Sequence, residues 1–463
     1  MRRTLSLLGA ALLVMTGCRQ FLDSKNLNNN PNDPSIASTG PLFTGAQANL
    51  YSQIEGQLGR TVALWMEAFS GQASPFNNLS LYSYGADDYL NNWARVYGGG
   101  GLIDLRTIEQ RSLAAGDSIF AGQAIVLEAM QISMAADIWG DIPYAQAAQP
   151  TVYKTPKVQP QQAVYDSLLT ALAKATVYLA ASGPTNAGAQ GYDNLSGVAN
   201  STDANNPPAF WTAVANTLRA RIFMHLAARL GASAYDSATA AALAGIRDST
   251  GASDFTSVHG TTAITANVWS DFQSIYAGDL VADSTIIGIM NADNDPRLPA
   301  YWIQGDSGTY FGTLPAVVPT DPAQVSNLSN ARSAQAFPQP IVTYAENQLI
   351  LAEAACQSSQ GPQALTYLNA ERAAAGASPI GTISLKAIMN EKYVALFQNP
   401  EVWNDWKRTG YPVMSPLGGQ PMIPRRLTYP QSERAANPNI PSDPVQNWND
   451  PTTTPGTPIT SGC

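Results

Sequence analysis

Through most of the 463 residues, apolar side chains recur every three or four positions, and no stretch sustains the alternation of a strand. Val164, Leu168, Leu172 and Leu179 share one face between Pro160 and Ala181, as do Trp211, Val214, Leu218, Ile222 and Leu226 between Pro208 and Leu230. Helices are also expected over Pro41–Glu55, Arg60–Ser70 and Tyr89–Arg111, the last interrupted at Gly98–Gly101. Over 118–138, Ile125, Leu127, Met130, Met134 and Ile138 lie near one stripe, and Pro340–Gln357 is followed by Pro362–Ala374 across a turn at Gly361. Prolines at the starts and glycines at the turns mark helix boundaries. Residues 160–181 with 208–230, and 340–357 with 362–374, read as helical hairpins. Small alanines packed between larger residues resemble degenerate tetratricopeptide units without a strict repeat of about 34 residues. The fold class is therefore all-α, with minor β at most.

Between these segments the chain changes character. Residues 71–88, 182–206, 250–339 and 410–463 are long, rich in Gly, Pro, Asn and aromatic residues, and aperiodic. Unpatterned segments of this length in a compact protein are usually functional or disordered, and their Trp and Tyr content argues against disorder.

The N-terminus fixes where such a protein works. MRRTLSLLGAALLVMTGC begins with Arg2 and Arg3, runs through an apolar stretch from Leu5 to Met15, and ends with the small pair Thr16-Gly17 before Cys18. The stretch is shorter than the roughly 20 residues needed to span a bilayer, so it reads as a lipoprotein signal over 1–17 rather than a transmembrane helix. Cleavage before Cys18 exposes a thiol for diacylglycerol and an amine for a further chain, and two chains anchor stably. Residues 19–40, rich in Asn, Asp and Pro, read as a tether or an extended arm lying on the body, and 41–463 is expected to be a single domain.

Charge excludes one class of partner. The formal charge is −9, two units more negative once Arg2 and Arg3 leave, so nucleic acid is not expected. Charged residues are 13% of the chain, about half the usual quarter, and uncharged polar and aromatic side chains are plentiful. Such a surface suits neutral ligands such as sugars, or an extracellular protein of any kind. Of the three cysteines, Cys356 sits in the apolar stretch LILAEAACQ, where a buried thiol is expected, and Cys463 is the last residue; no spacing logic supports a bridge between them.

Catalytic constellations are thin. His225 lies within an amphipathic helix and His259 in a Gly/Thr-rich loop, neither with a second His or Cys at ligand spacing, so both read as packed or solvated. There is no phosphate loop and no G-x-S-x-G elbow. No cofactor is expected. The pairs Asp87-Asp88, Asp137 with Asp141, and Asp293 with Asp295 could form a glycosidase's acid and nucleophile, or be solvated, capping and turn residues. Calcium at Asp293 and Asp295 would lack the Gly and terminal Glu of an EF-hand loop.

Aromatic residues in the irregular segments are the better candidates. Phe76, Tyr82 and Tyr84 lie beside Asn77 and Asn78, while Trp269, Tyr276, Tyr301, Trp302, Tyr310 and Phe311 populate the central segment. A sugar stacks its C–H face on an aromatic ring while amides bond its hydroxyls, and the competing role of every such ring is core packing. The candidate ligand residues are Phe76, Asn77, Tyr82, Tyr84, Trp269, Tyr301, Trp302 and Tyr310.

Several segments also resemble one family. C-R-Q-F-L-D and N-N-N-P-N-D-P near the N-terminus, DIWGDIPYAQA (137–147), NDPRLPAY (294–301), YAENQLILAEAA (344–355), EKYVALFQNPEVWNDWKRTGYP (391–412) and IPRRLTYPQSERAANP (423–438) are similar to the SusD/RagB surface lipoproteins. The resemblance implies four tetratricopeptide-like helix pairs, within helices over about 41–70, 89–138, 160–181, 208–230 and 340–398, and an irregular ligand-binding half packed on them, with variable binding segments over about 71–88 and 250–339. It further implies a lid on a SusC-like TonB-dependent outer-membrane transporter that binds glycans or other oligomers, catalyses nothing, and faces the cell exterior. No ligand residue carries over by motif. The C-terminal block with Trp403, Trp406, Arg408 and Arg425 suits aromatic and cation-π packing rather than ligand binding. A lipid-anchored glycoside hydrolase and a protein-binding tetratricopeptide scaffold remain the competing readings.

Overall fold

A computed structural model describes residues 37–181, 193, 195–201, 203–315, 317, 321–441, 458–459 and 463; the expected signal segment, Cys18 and nearly all of the expected tether lie outside the described residues. The first described helix, α1 (Thr39–Ile54), starts within the expected tether, and Arg111 Nη1 donates to the Ala37 carbonyl at 2.7 Å. After α2 (Gln57–Trp65) the chain enters strand β1 (Phe69–Gly71), so the helix expected to reach Ser70 ends early. The short α3 (Phe76–Ser80) follows. The helix expected over 89–111 is two, α4 (Leu90–Tyr97) and α5 (Leu102–Ala114), broken at Gly98–Gly101 as the glycine run requires.

α6 (Ser118–Trp139) is apolar on every face and sits at the centre of the molecule. It is long and apolar enough to cross a bilayer, yet its apolar window lies wholly inside the protein. Asp117 caps it by accepting from Phe120 N at 3.0 Å. α5 packs on one side and α7 (Gln161–Leu179) on the other; Gly122 lets α7 approach, since a Cβ there would sit 2.9 Å from Leu179.

α8 (Pro207–Leu230) starts on two prolines and ends at Gly231, whose φ of +61° reverses the chain directly into α9 (Ala232–Leu243). The sequence reading passed over α9, because its core face is built from Ala234, Ala238, Ala241 and Ala242 rather than large residues. Those alanines meet Ala220 and Met224 of α8 and Ile350, Leu351 and Ala354 of α13 (Tyr344–Gln357). α9 therefore separates the two expected hairpins and joins them into one array, which continues through α14 (Gly361–Ala374).

The irregular half contains three further helices, α10 (Val268–Ile275), α11 (Ser284–Ala292) and α12 (Leu298–Tyr301). α15 (Leu385–Ala395) and α16 (Glu401–Thr409) close the C-terminal block, followed by α17 (Gln431–Ala436). Sheet is minor: among the described residues it consists of four two-stranded antiparallel ladders. One of them, β4 (Phe255–Ser257) on β8 (Gln339–Val342), occupies the start of the helix expected at Pro340.

The buried thiol expected at Cys356 is corrected. Cys356 is fully buried but bonded to Cys463 across 107 residues, with Ile459 N donating to the Thr409 carbonyl at 3.0 Å beside it. Local sequence spacing carried no sign of this pairing because α13 and the chain end meet only in the folded protein.

The C-terminal block is structural. Arg408 is buried between Glu353 and Asp405, Lys407 lies 4.3 Å over the Trp403 ring, and Trp403 and Trp406 are buried.

Candidate ligand-binding face

One ladder brings the two aromatic-rich segments together. β1 pairs antiparallel with β5 (Leu280–Ala282), Phe69 opposite Ala282 and Gly71 opposite Leu280, and Gln72 N donates to the Asp279 carbonyl at 2.8 Å. Gly71 is required there, because a Cβ would overlap the Phe76 backbone where the chain folds back into α3. Ser80 Oγ accepts from Gly71 N at 3.1 Å and fixes that return.

Phe76 thereby reaches α10. Its ring lies 5.1 Å from Phe272 and 5.6 Å from Tyr276, both edge-on, and Phe272 lies 5.1 Å from Tyr276. Phe272 is buried, Phe76 is half-buried, and Tyr276 is 43% exposed beside Ile275. Arg60 of α2 covers the Phe272 ring at 4.6 Å. Asn77 is half-buried and its Oδ1 accepts from Asn78 N, while Asn78 is exposed. The result is an aromatic cluster with one outward ring, an adjoining amide pair and a guanidinium.

Tyr82 and Tyr84 form a second, more anchored shelf. Tyr82 occupies the left-handed region at φ +64°, and its hydroxyl accepts from Leu417 N at 3.2 Å. Burial pushes that hydroxyl's pKa up to about 12, so it stays a neutral donor and acceptor. Both rings rest on Trp65, at 6.2 and 5.6 Å, and Trp65 in turn meets Trp403 at 5.3 Å. The C-terminal block is thus the foundation of the shelf.

Three of the expected ligand residues are elsewhere. Trp269 is 0% exposed and stacked on Phe69 at 5.2 Å; Trp302 is buried 5.2 Å from Phe69; Tyr301 is buried and stacked on Phe397 at 4.7 Å. Their faces belong to a core cluster, which corrects the expectation that they present a platform. Tyr310 is half-buried, and its carbonyl accepts from Asn291 Nδ2 at 3.2 Å, while the adjacent Phe311 is exposed. Phe272 and Arg60 were missed, and Tyr276 was seen only as one aromatic among many. The Phe272/Tyr276 spacing of four was the available signal, since it places both rings on one helix face.

The acidic pairs are engaged. Asp137 meets His225 Nδ1 at 3.2 Å and accepts from the Tyr165 hydroxyl, while Asp141 accepts from Gln161 N at 2.8 Å. Asp88 accepts from Gly85 N at 2.7 Å, and Asp87 faces Ser432. Arg297 takes Asp295 at 2.6 Å and Arg372 takes Asp293 at 2.7 Å, so neither carboxylate is left as an unshared cation ligand. These two ion pairs floor a cavity of about 560 Å³ between α11 and α15, walled by Ile289, Ile380, Val394 and Val413 and free of aromatic rings. His225 and His259 are both packed against carboxylates, His259 Nε2 lying 3.0 Å from Glu55.

A family described as starch-binding and associating with the outer membrane, SusD-like, matches residues 31–375 and 359–430. The chain belongs to the SusD-like family. Solved structures agree in fold. A chitin-binding protein superposes with a TM-score of 0.72 at 21% identity, over 88% of this chain and 99% of its own. A chitin-binding SusD homologue from Flavobacterium johnsoniae gives 0.71 at 18%, over 90% and 100%. A SusD-like protein from Bacteroides thetaiotaomicron gives 0.71 at 20%, over 89% and 98%. No curated relative matches the sequence. The SusD-like assignment accounts for the helix array and the irregular half as one architecture.

Proposed function

We propose that this chain is a lipid-anchored cell-surface protein that binds glycans and hands them to a SusC-like TonB-dependent transporter in the outer membrane, without catalysing a reaction. The observation that carries the reading is the convergence of residues 71–88 and 264–280 on one face, where Phe76, Phe272 and Tyr276 cluster beside Asn77 and Asn78. Partly exposed rings with neighbouring amides recognise sugar C–H faces and hydroxyls. Chitin binding by two proteins of the same fold and the starch-binding description of the family support a glycan as the ligand class. The signal segment ending at Cys18 supports the anchor, and residues 41–463 act as one binding body in this reading. The engaged carboxylate pairs disfavour a hydrolase.

The test is retention of the chain from Arg19 onward on immobilised glycans, with wild type compared to Phe76→Ala/Tyr276→Ala. Retention of at least one glycan, weakened about tenfold or more in the variant, is expected. No retention on any glycan, or release of reducing ends from one, would overturn the proposal. Replacing Cys18 with Ala should move the protein out of the membrane fraction, and affinity capture of the full-length protein should bring down a large β-barrel transporter.

A further inference from the structure

Arg60 is a half-buried cation without an anionic partner. Arg221, Arg297, Arg372 and Arg408 each meet a carboxylate. Arg60 meets none within 4.0 Å among the described residues. The guanidinium's one hydrogen bond there runs from Nη1 to the Glu55 carbonyl at 3.5 Å, the outer limit of such a contact. The Phe272 ring, 4.6 Å away, covers one face of the guanidinium and holds it flat. That leaves the planar N–H edge, Nε and Nη2, without an acceptor among the described residues, beside the 43% exposed Tyr276. Burial draws the Arg60 pKa down to about 10, partly offset by Tyr276, so the group remains charged at neutral pH.

Such an edge fits one kind of ligand group. A guanidinium presents parallel donors that match the two oxygens of a carboxylate or sulfate, and charge-assisted pairs of this type are about twice as strong as neutral ones. A neutral hydroxyl would satisfy a donor but leave the charge uncompensated. In a chain of net charge −9, a cation with no carboxylate beside it attracts anions to this face.

We propose that the aromatic face binds a glycan bearing an anionic substituent, a uronate carboxylate or a sulfate ester, which Arg60 clamps while the sugar ring stacks on Tyr276. The proposal rests on the glycan reading above. It is tested by titration calorimetry of the mature chain with three probes of equal length: an oligogalacturonate, a sulfated galactan oligosaccharide and a chito-oligosaccharide. The expected result is that one acidic probe binds about tenfold or more tightly than the neutral one, with a preference that weakens as salt rises. Arg60→Gln should abolish that preference, whereas Arg60→Lys should keep part of it. Which acidic probe wins separates carboxylate from sulfate.

Equal binding of acidic and neutral probes, or a preference untouched by Arg60→Gln in a variant that melts like wild type, would overturn this inference alone. Binding of none of a wide glycan panel would remove the glycan reading and this inference with it.

Discussion

His225 Nε2 lies 2.7 Å from Glu401 Oε1, while Nδ1 of the same ring lies 3.2 Å from Asp137, so one imidazolium ties α8 to both α16 and α6 in the dry interior. Arg221, one turn earlier, pairs with Glu346 of α13. The helix array and the C-terminal block are joined by charge as well as by packing. Replacing His225 with Ala strands two buried carboxylates and should cost about 3–5 kcal/mol, read by chemical denaturation. A loss under 1 kcal/mol would show that the ring is dispensable.

The same pair sets a pH window. Burial draws the His225 pKa down, but Asp137 and Glu401 outweigh it and hold it up at about 9. Burial likewise raises Glu401, but His225 holds it down at about 2. The histidine's contribution is complete below its unfolded value of about 6.5 and drains as pH rises through 9. The glutamate's contribution is complete above about 4.5 and is lost as pH falls toward 2. The stability difference between wild type and His225→Ala should therefore be greatest between about pH 4.5 and 6.5 and shrink on both sides; a difference independent of pH up to 10 would refute the pairing.

Cys463→Ser releases the chain end from α13. Because the bridge spans 107 residues, its loss should lower stability by about 2–4 kcal/mol, and reduction of the wild type should reproduce that loss. Matching unfolding curves with and without reductant would contradict the bridge.

Core and surface rings should separate cleanly. Trp302→Ala removes a fully buried ring from the Phe69 cluster and should cost about 3–5 kcal/mol. Tyr276→Ala should cost much less in stability and act on glycan retention instead. Equal melting losses for the two would show that Tyr276 is a packing residue.

Asp283 caps α11 through its bond from Thr285 N at 2.8 Å, yet Oδ2 is buried with no hydrogen-bond partner among the described residues. Burial, with Glu67 nearby, pushes its pKa up to about 8. A carboxyl raised in this way contributes stability that is complete below about 3.8 and lost as pH rises through 8. Asp283→Asn keeps the capping oxygen, so it should gain on wild type by about 1–3 kcal/mol between pH 5 and 9. Parallel pH profiles would exclude the cap as the source.

Helix periodicity exposed most of the array because burial on one side writes itself into the sequence at a spacing near 3.6. It failed at α9, where alanines supply the buried face and the stripe has no contrast, and at Phe69–Gly71, where a three-residue strand is too short to alternate. The two segments that meet at β1 and β5 were legible as distinct by their aromatic content. The rings that face outward were not, since Trp269 and Tyr276 sit on one short stretch and only the partner at Phe69 makes the first a core residue.

What the sequence determined by itself was local: helix faces, turns at proline and glycine, and the compositional bias of the irregular segments. Those properties depend on neighbours a few residues apart. Only the tertiary structure decided that Cys356 meets Cys463, that His225 bridges Asp137 and Glu401, and that Phe76, Arg60 and Tyr276 share a face. Each joins residues far apart in the chain, and such contacts are fixed by how whole helices pack, information no single window of sequence contains.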